Sequence, residues 1–159
     1  MPPTYVRPPG ATTLMHVAIM CPDIERSLRF YRDGLGFSRR YEWTKTISPQ
    51  GEVVYQGRGI YLELQGNSYI ELFPGGREGA DSADGPLAHI ALIVPSVDEA
   101  YESCLKAGGS PAGHADWTGE PTSLVINGTP EMDVRVAFVK GPSGELIELY
   151  EQHSPVVAR

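Results

Sequence analysis

The hydrophobic pattern of the chain occurs twice. Two short apolar runs, Leu14–Met20 and Leu87–Val94, carry few polar residues and read as strands packed under a helix. Helical spacing follows each: Ile24, Leu28, Tyr31 and Leu35 after the first, Val97, Tyr101, Cys104 and Leu105 after the second. Ser96-Val97-Asp98-Glu99 forms a capping box that opens the second helix, and Asp23 offers a similar cap one repeat earlier. Gly34/Gly36 and Gly108/Gly109 supply the stops. Beyond the first helix, Ser38–Thr46, Gly59–Gln65 and Ser68–Phe73 read as strands. The second half answers with a looser stretch, then Val134–Lys140 and Glu145–Tyr150. Each half therefore predicts a strand, a helix and three strands, eight short strands in all.

The repetition extends to individual residues. His16-Val17-Ala18-Ile19-Met20-Cys21-Pro22 aligns without a gap on His89-Ile90-Ala91-Leu92-Ile93-Val94-Pro95. Further on, Tyr69-Ile70-Glu71-Leu72-Phe73 matches Leu146-Ile147-Glu148-Leu149-Tyr150. The chain reads as a tandem duplication, module one at 12–75 and module two at 86–151. A polar linker at 76–85 joins them; a Pro-rich arm, 1–11, precedes them and a tail, 152–159, follows. A half of roughly 60–65 residues buries too little to stand alone, so the two should pair side by side.

Composition narrows the classes. The 159 residues suit one domain built of two halves, and the 18 Gly and 14 Pro become its turns. A net charge of −7 repels phosphate backbones, which argues against nucleic-acid binding. No apolar run reaches the roughly 18 residues of a membrane span. MPPTYVRPPG lacks the apolar core of a signal peptide. Cys21 and Cys104 lie in apolar stretches and read as buried, reduced thiols, which suits the cytoplasm.

Strand alternation places the chemistry. In each copy a His stands on the first strand and a Glu on the last. His16 shares a face with Ala18, and His89 with Ala91, opposite the bulky Val17/Ile19 and Ile90/Leu92. Glu71 shares a face with Tyr69 and Phe73, and Glu148 with Leu146 and Tyr150. The aliphatic face should pack on the helix, leaving the His/Glu face as a cleft. A carboxylate in mid-strand is costly unless paired or metal-bound. Two glutamates and two imidazoles at repeat-equivalent places make an N2O2 ligand set, suited to Zn, Ni, Co, Mn or Fe.

Through HVAI…ERSLRFYRDGLGF, YIELF, LAHIALIVPSVDEAYE and VAFVKGPSGELIELYE, the chain resembles the vicinal oxygen chelate superfamily over about residues 12–151. That group includes glyoxalase I, methylmalonyl-CoA epimerase, extradiol dioxygenases, and fosfomycin and bleomycin resistance proteins. The resemblance implies an α+β fold of two tandem βαβββ modules forming a cleft-lined open mixed barrel. It implies a divalent metal ion on His16, Glu71, His89 and Glu148, the ligand pattern of bacterial-type glyoxalase I. The implied activity is that of a metal-dependent lyase or isomerase. It would stabilise an enediolate of a small oxygenated or thiol-adduct substrate, with Glu148 or Glu71 as catalytic base. An Fe(II) extradiol-type dioxygenase would use only His16, His89 and Glu148. A drug- or metabolite-binding protein of the same fold would use the cleft without turnover. Met20 and Gly75 stand where glutathione-using members commonly carry Arg and Asn, which removes two expected glutathione contacts. Family members often dimerise, so a homodimer and a small-molecule substrate are the expected partners.

Tyr69, Phe73 and Tyr150 should line the cleft. Trp117, His114, Arg58 and Tyr61 are candidates for substrate contact, while Arg135 and Lys140 read as solvated strand residues and His153 as surface. The segments Lys45–Gly57 and Thr118–Met132 read as loops long enough to shape the pocket.

Overall fold

The computed structural model of the chain describes residues 10, 12, 14–64, 68–113, 117–126, 128 and 132–152, the side chains at 39, 40, 83 and 152 excepted. Module one contains β1 (His16–Cys21), α1 (Ile24–Arg29) with a π-helical turn over Phe30–Gly34, β2 (Ser38–Ile47), β3 (Val53–Leu64) and β4 (Ser68–Pro74). Module two contains β5 (Ile90–Ile93), α2 (Val97–Lys106), β6 (Ser110–Pro111), β7 (Thr122–Ile126), β8 (Met132–Lys140) and β9 (Leu146–Gln152). The first sheet runs β1-β4-β3-β2; the second runs β5-β9-β8-β6, with β7 also on β8. In both sheets the first strand of the module lies parallel to the last, and the remaining pairs are antiparallel. The expected α+β fold of paired βαβββ modules is thus formed, as two open sheets rather than one closed barrel.

The described residues form nine strands, not eight, because the looser stretch of module two breaks into β6 and β7 along one edge of β8. Pro111 ends β6, since a proline has no N–H to continue the ladder. The segment 45–57 is not a loop either. β2 and β3 form one long hairpin closed at 48–52, where Ser48 N donates to Glu52 O (2.8 Å) and Gly51 N to Ser48 O (2.9 Å). Ile47, Val53, Val54 and Tyr55 are strand-forming residues, so pairing continues well past the sheet body. Thr122–Ile126 does the same inside the segment expected as the second loop.

Both helices open as their sequences predict. The Asp23 carboxylate accepts from the N–H groups of Glu25 and Arg26, each at 3.0 Å, and Ser96 Oγ accepts from Glu99 N at 3.3 Å. A single core runs through both modules: Leu28, Phe30, Tyr31, Ile60, Leu62 and Leu72 from the first join Val97, Cys104, Val139, Ile147 and Leu149 from the second. The helices touch at Gly34, where an added Cβ would lie 3.1 Å from the Ala107 side chain and 3.2 Å from the Cys104 backbone. Polar contacts also cross the junction. Ser27 and Ser143 hydroxyls meet at 2.8 Å, the Tyr31 phenol donates to Glu145 (2.8 Å), and Arg26 donates to the Pro142 carbonyl (3.0 Å). Cys21 and Cys104 are buried free thiols, and desolvation raises both, Cys104 to about 12, so neither is an activated nucleophile.

β1 and β5 are edge strands of their sheets and flank the same two depressions. A groove of about 840 Å³ has Leu14 and Val17 on one side and Leu92 to Pro95 on the other. A cleft of about 250 Å³ has Ala18 and Met20 against Leu87 and His89. The start of β1 therefore meets the end of β5, and the reverse, as a pseudo-twofold demands. Among the described residues no helix is long and apolar enough to cross a membrane.

Candidate metal centre

The alternation read from the sequence sets the two faces. On β4, Ile70 and Leu72 are buried in the core, and on β9 Ile147 and Leu149 are. Parallel pairing then places Ala18 beside Glu71 and Ala91 beside Glu148. The small alanine leaves room for each carboxylate to reach diagonally toward the histidine two residues back in the chain, His16 on β1 and His89 just before β5. His16 Nε2 stands 3.2 Å from Glu71 Oε2, and His89 Nε2 stands 3.1 Å from Glu148 Oε2. The four predicted ligands are therefore present as two like pairs, each an imidazole nitrogen facing a carboxylate oxygen. Among the described residues no three His, Cys, Asp or Glu side chains stand as a ready-made ligand cluster; the pairs remain separate.

The donor chemistry fits a divalent cation. Each pair offers one nitrogen and one anionic oxygen turned toward each other, and a mixed N/O set suits zinc and its neighbours in the first transition row.

The surroundings of the pairs differ. Glu71 is buried, with its side chain only 4% exposed, whereas that of Glu148 is 19% exposed. Trp43 Nε1 donates to Glu71 Oε1 at 2.9 Å. Tyr61 lies directly opposite Glu71 on β3 and packs edge-on against His16 with ring centroids 5.5 Å apart. Burial, then the charge and hydrogen bonding of Glu71, push the Tyr61 phenol up to about 12, so it stays a neutral donor. Opposite Glu148 stands Phe138, which packs edge-on against His89 (5.6 Å) and offers no hydrogen bond.

The structure distributes the other candidates unevenly. Tyr69 is buried beside His16 in the strand pairing and packs on Tyr61. The face expected to be an open cleft is, on β4, covered by aromatic side chains. Phe73 packs edge-on against Trp43 (5.7 Å), and Tyr150 stands half-buried on β9. Trp117 reaches the second pair through Phe138 (5.3 Å), and its own N–H is donated to the Glu120 carbonyl. Arg58 is held by Glu42 (2.6 Å) and Glu25 (2.9 Å), which ties β3 to β2 and to the start of α1. Arg135 and Lys140 are not merely solvated. Arg135 grips Asp98 on α2 with two bonds of 2.6 Å, and Lys140 pairs with Asp81. His114 and His153 lie outside the described residues.

Sequence reasoning missed Trp43, Gly59 and Phe138. The signal for Trp43 lies in the pairing of β2 with β3, where Trp43 faces Gly59, but bulges after Arg39 and Trp43 shift the alternation that counting relies on.

Known proteins of the same build share nearly the whole chain. The uncharacterized protein YwkD of Bacillus subtilis is 33% identical over 147 residues, covering 88% of this chain and 97% of its own. The uncharacterized protein YaeR of Escherichia coli is 30% identical over 150 residues, covering 90% and 98%. Among solved structures, a glyoxalase/bleomycin resistance protein/dioxygenase from Alicyclobacillus acidocaldarius superposes with a TM-score of 0.58 at 14% identity, covering 94% of this chain and 96% of that one. A glyoxalase I mutant from Zea mays gives 0.59 at 16% identity, covering 86% and 44%. The sequence pattern of one family spans both modules and all four paired residues, residues 13–149, and the chain belongs to it: the Glyoxalase/Bleomycin resistance protein/Dioxygenase superfamily.

Proposed function

We propose that the protein is a divalent-metal-dependent lyase or isomerase resembling glyoxalase I, with His16, Glu71, His89 and Glu148 holding the ion. The observation that carries this reading is the pair of repeat-equivalent His–Glu contacts at 3.2 and 3.1 Å. When bound, the ion supplies the Lewis acidity that makes a C–H beside a substrate carbonyl acidic. The protein's own part is proton movement and positioning. Glu148 is the better proton carrier: it is the more exposed carboxylate, and the face opposite it is the apolar Phe138. Glu71, already bonded to Trp43, serves as the fixed partner of His16. Ala18, Met20 and Leu87 line the cleft beside His89 together with Asp81 and Glu145, which supports a small substrate over an anionic glutathione adduct. The exposed Ile93 at the end of the edge strand β5 supports a homodimer, checked by sedimentation.

The test begins with metal. The purified chain is loaded separately with Zn(II), Ni(II), Co(II), Mn(II) and Fe(II), desalted and analysed. One ion retained per chain, lost in both His16→Ala and His89→Ala, is the expected outcome; a chain that retains none under any loading overturns the reading. Turnover of a methylglyoxal–thiol adduct is then compared with oxygen uptake on a catechol in the Fe(II) form. Oxygen uptake alone would replace isomerisation with dioxygenation.

A further inference from the structure

The two carboxylates of the site occupy equivalent positions, yet among the described residues only Glu71 receives an indole N–H from behind. Trp43 Nε1 donates to Oε1 of Glu71, while Oε2 of the same carboxylate faces His16. The Tyr61 phenol bonds the same carboxylate, so Trp43 is one of two protein donors that hold it. The indole reaches this position because it lies close over Gly59, its partner across β2 and β3. A Cβ at residue 59 would stand 2.4 to 2.7 Å from the six-membered ring and Nε1 of Trp43. Tyr55 and Phe73 fix the ring from two sides, edge-on at 5.5 and 5.7 Å. The strand pairings of module two put Thr122, Val136 and Phe138 where module one has Trp43, Gly59 and Tyr61. Val136 carries the Cβ that would exclude an indole this close, and neither Thr122 nor Phe138 has a side-chain donor long enough to copy it.

We infer that Trp43, seated on Gly59, is a positioning residue for Glu71: it holds Oε1 and turns Oε2 toward His16, as a single-oxygen ligand. The inference rests on the metal reading above for its consequence, but the contact itself does not. Removing a donor that orients a ligand commonly costs 10- to 100-fold in metal affinity.

Two measurements test it. In metal-free, ¹⁵N-labelled protein the Trp43 indole N–H resonance should shift in Glu71→Ala and stay in place in Glu148→Ala. A resonance indifferent to Glu71→Ala overturns the inference whether or not the chain binds metal. In the metal-binding protein, Trp43→Phe keeps an aromatic ring over Gly59 but removes the N–H. Titration with Co(II) alone, followed by calorimetry, should show affinity lowered about 10-fold or more, with the thermal midpoint little changed and Thr122→Val without effect. Equal Co(II) affinity in Trp43→Phe and the parent overturns the positioning role while leaving the metal reading intact.

Discussion

Module one and module two share a topology, a helix-covered aliphatic face and a His–Glu pair, yet the aromatic side of each sheet has gone its own way. In module one a long, unbroken β2–β3 hairpin delivers Trp43 and Tyr61 to Glu71. In module two the corresponding strand is split into β6 and β7, and Phe138, backed by Trp117, covers the pair. The aliphatic faces, by contrast, have stayed alike down to Ile-Glu-Leu on both last strands. The core requires the same shape from both halves, because both pack into it. The outer face is free to diverge, and its two carboxylates have become a buried, gripped group and a half-open one.

The comparison can be pushed at several points. The largest effect is expected where the modules agree: Leu72→Ala and Leu149→Ala each remove a fully buried side chain and should each cost about 3 kcal/mol in denaturant unfolding. A large inequality between them would mean that the core is not shared evenly. Where the modules differ, Gly59→Val brings in the residue type of Val136. It should cost about 2 kcal/mol by crowding Trp43, while Trp43→Phe in that background recovers less than half. A smaller contrast lies at the helix starts. Ser96→Ala should cost about 1 kcal/mol, and Asp23→Ala should lower the melting temperature further, since Asp23 caps two N–H groups and Ser96 one.

The smallest effect concerns the junction. Burial raises the Glu145 carboxyl above its ordinary range despite its bonds from Tyr31 and Ser143 N. A raised folded pKa means that the folded state holds the proton more tightly, so this group favours folding in acid and loses that contribution as pH rises through its folded pKa. Chemical unfolding followed from pH 4 to 7 should therefore show Glu145→Gln gaining on the parent toward pH 7. An identical pH slope in the two proteins would remove Glu145 from the linkage.

Much of this architecture was legible in the residues. The duplicated His-x-Ala and Ile-Glu-Leu patterns put His16, Glu71 and Glu148 on β1, β4 and β9, because period-two alternation survives wherever a strand is regular, while His89 stands just before β5. Ser96 and Asp23 announced their helices through local capping chemistry. Legibility stopped where geometry departs from period. The bulges in β2 hid the partnership of Trp43 with Gly59. The residues around 45–57 were polar enough to resemble a loop although their Val and Tyr content extended the hairpin. Arg58 and Arg135 could be assigned only once the distant acids Glu25 and Asp98 were brought beside them.

The contacts across the helix junction have a consequence for ancestry. A duplicated unit begins as two interchangeable copies, each able to pair with the other or with itself. Ser27, Tyr31 and Arg26 of the first copy now bond to Ser143, Glu145 and Pro142 of the second. The halves have become lock and key to one another. A chain made of two first modules would lack the Ser143 hydroxyl and the Glu145 carboxylate, because Gly66 and Ser68 stand at the equivalent positions.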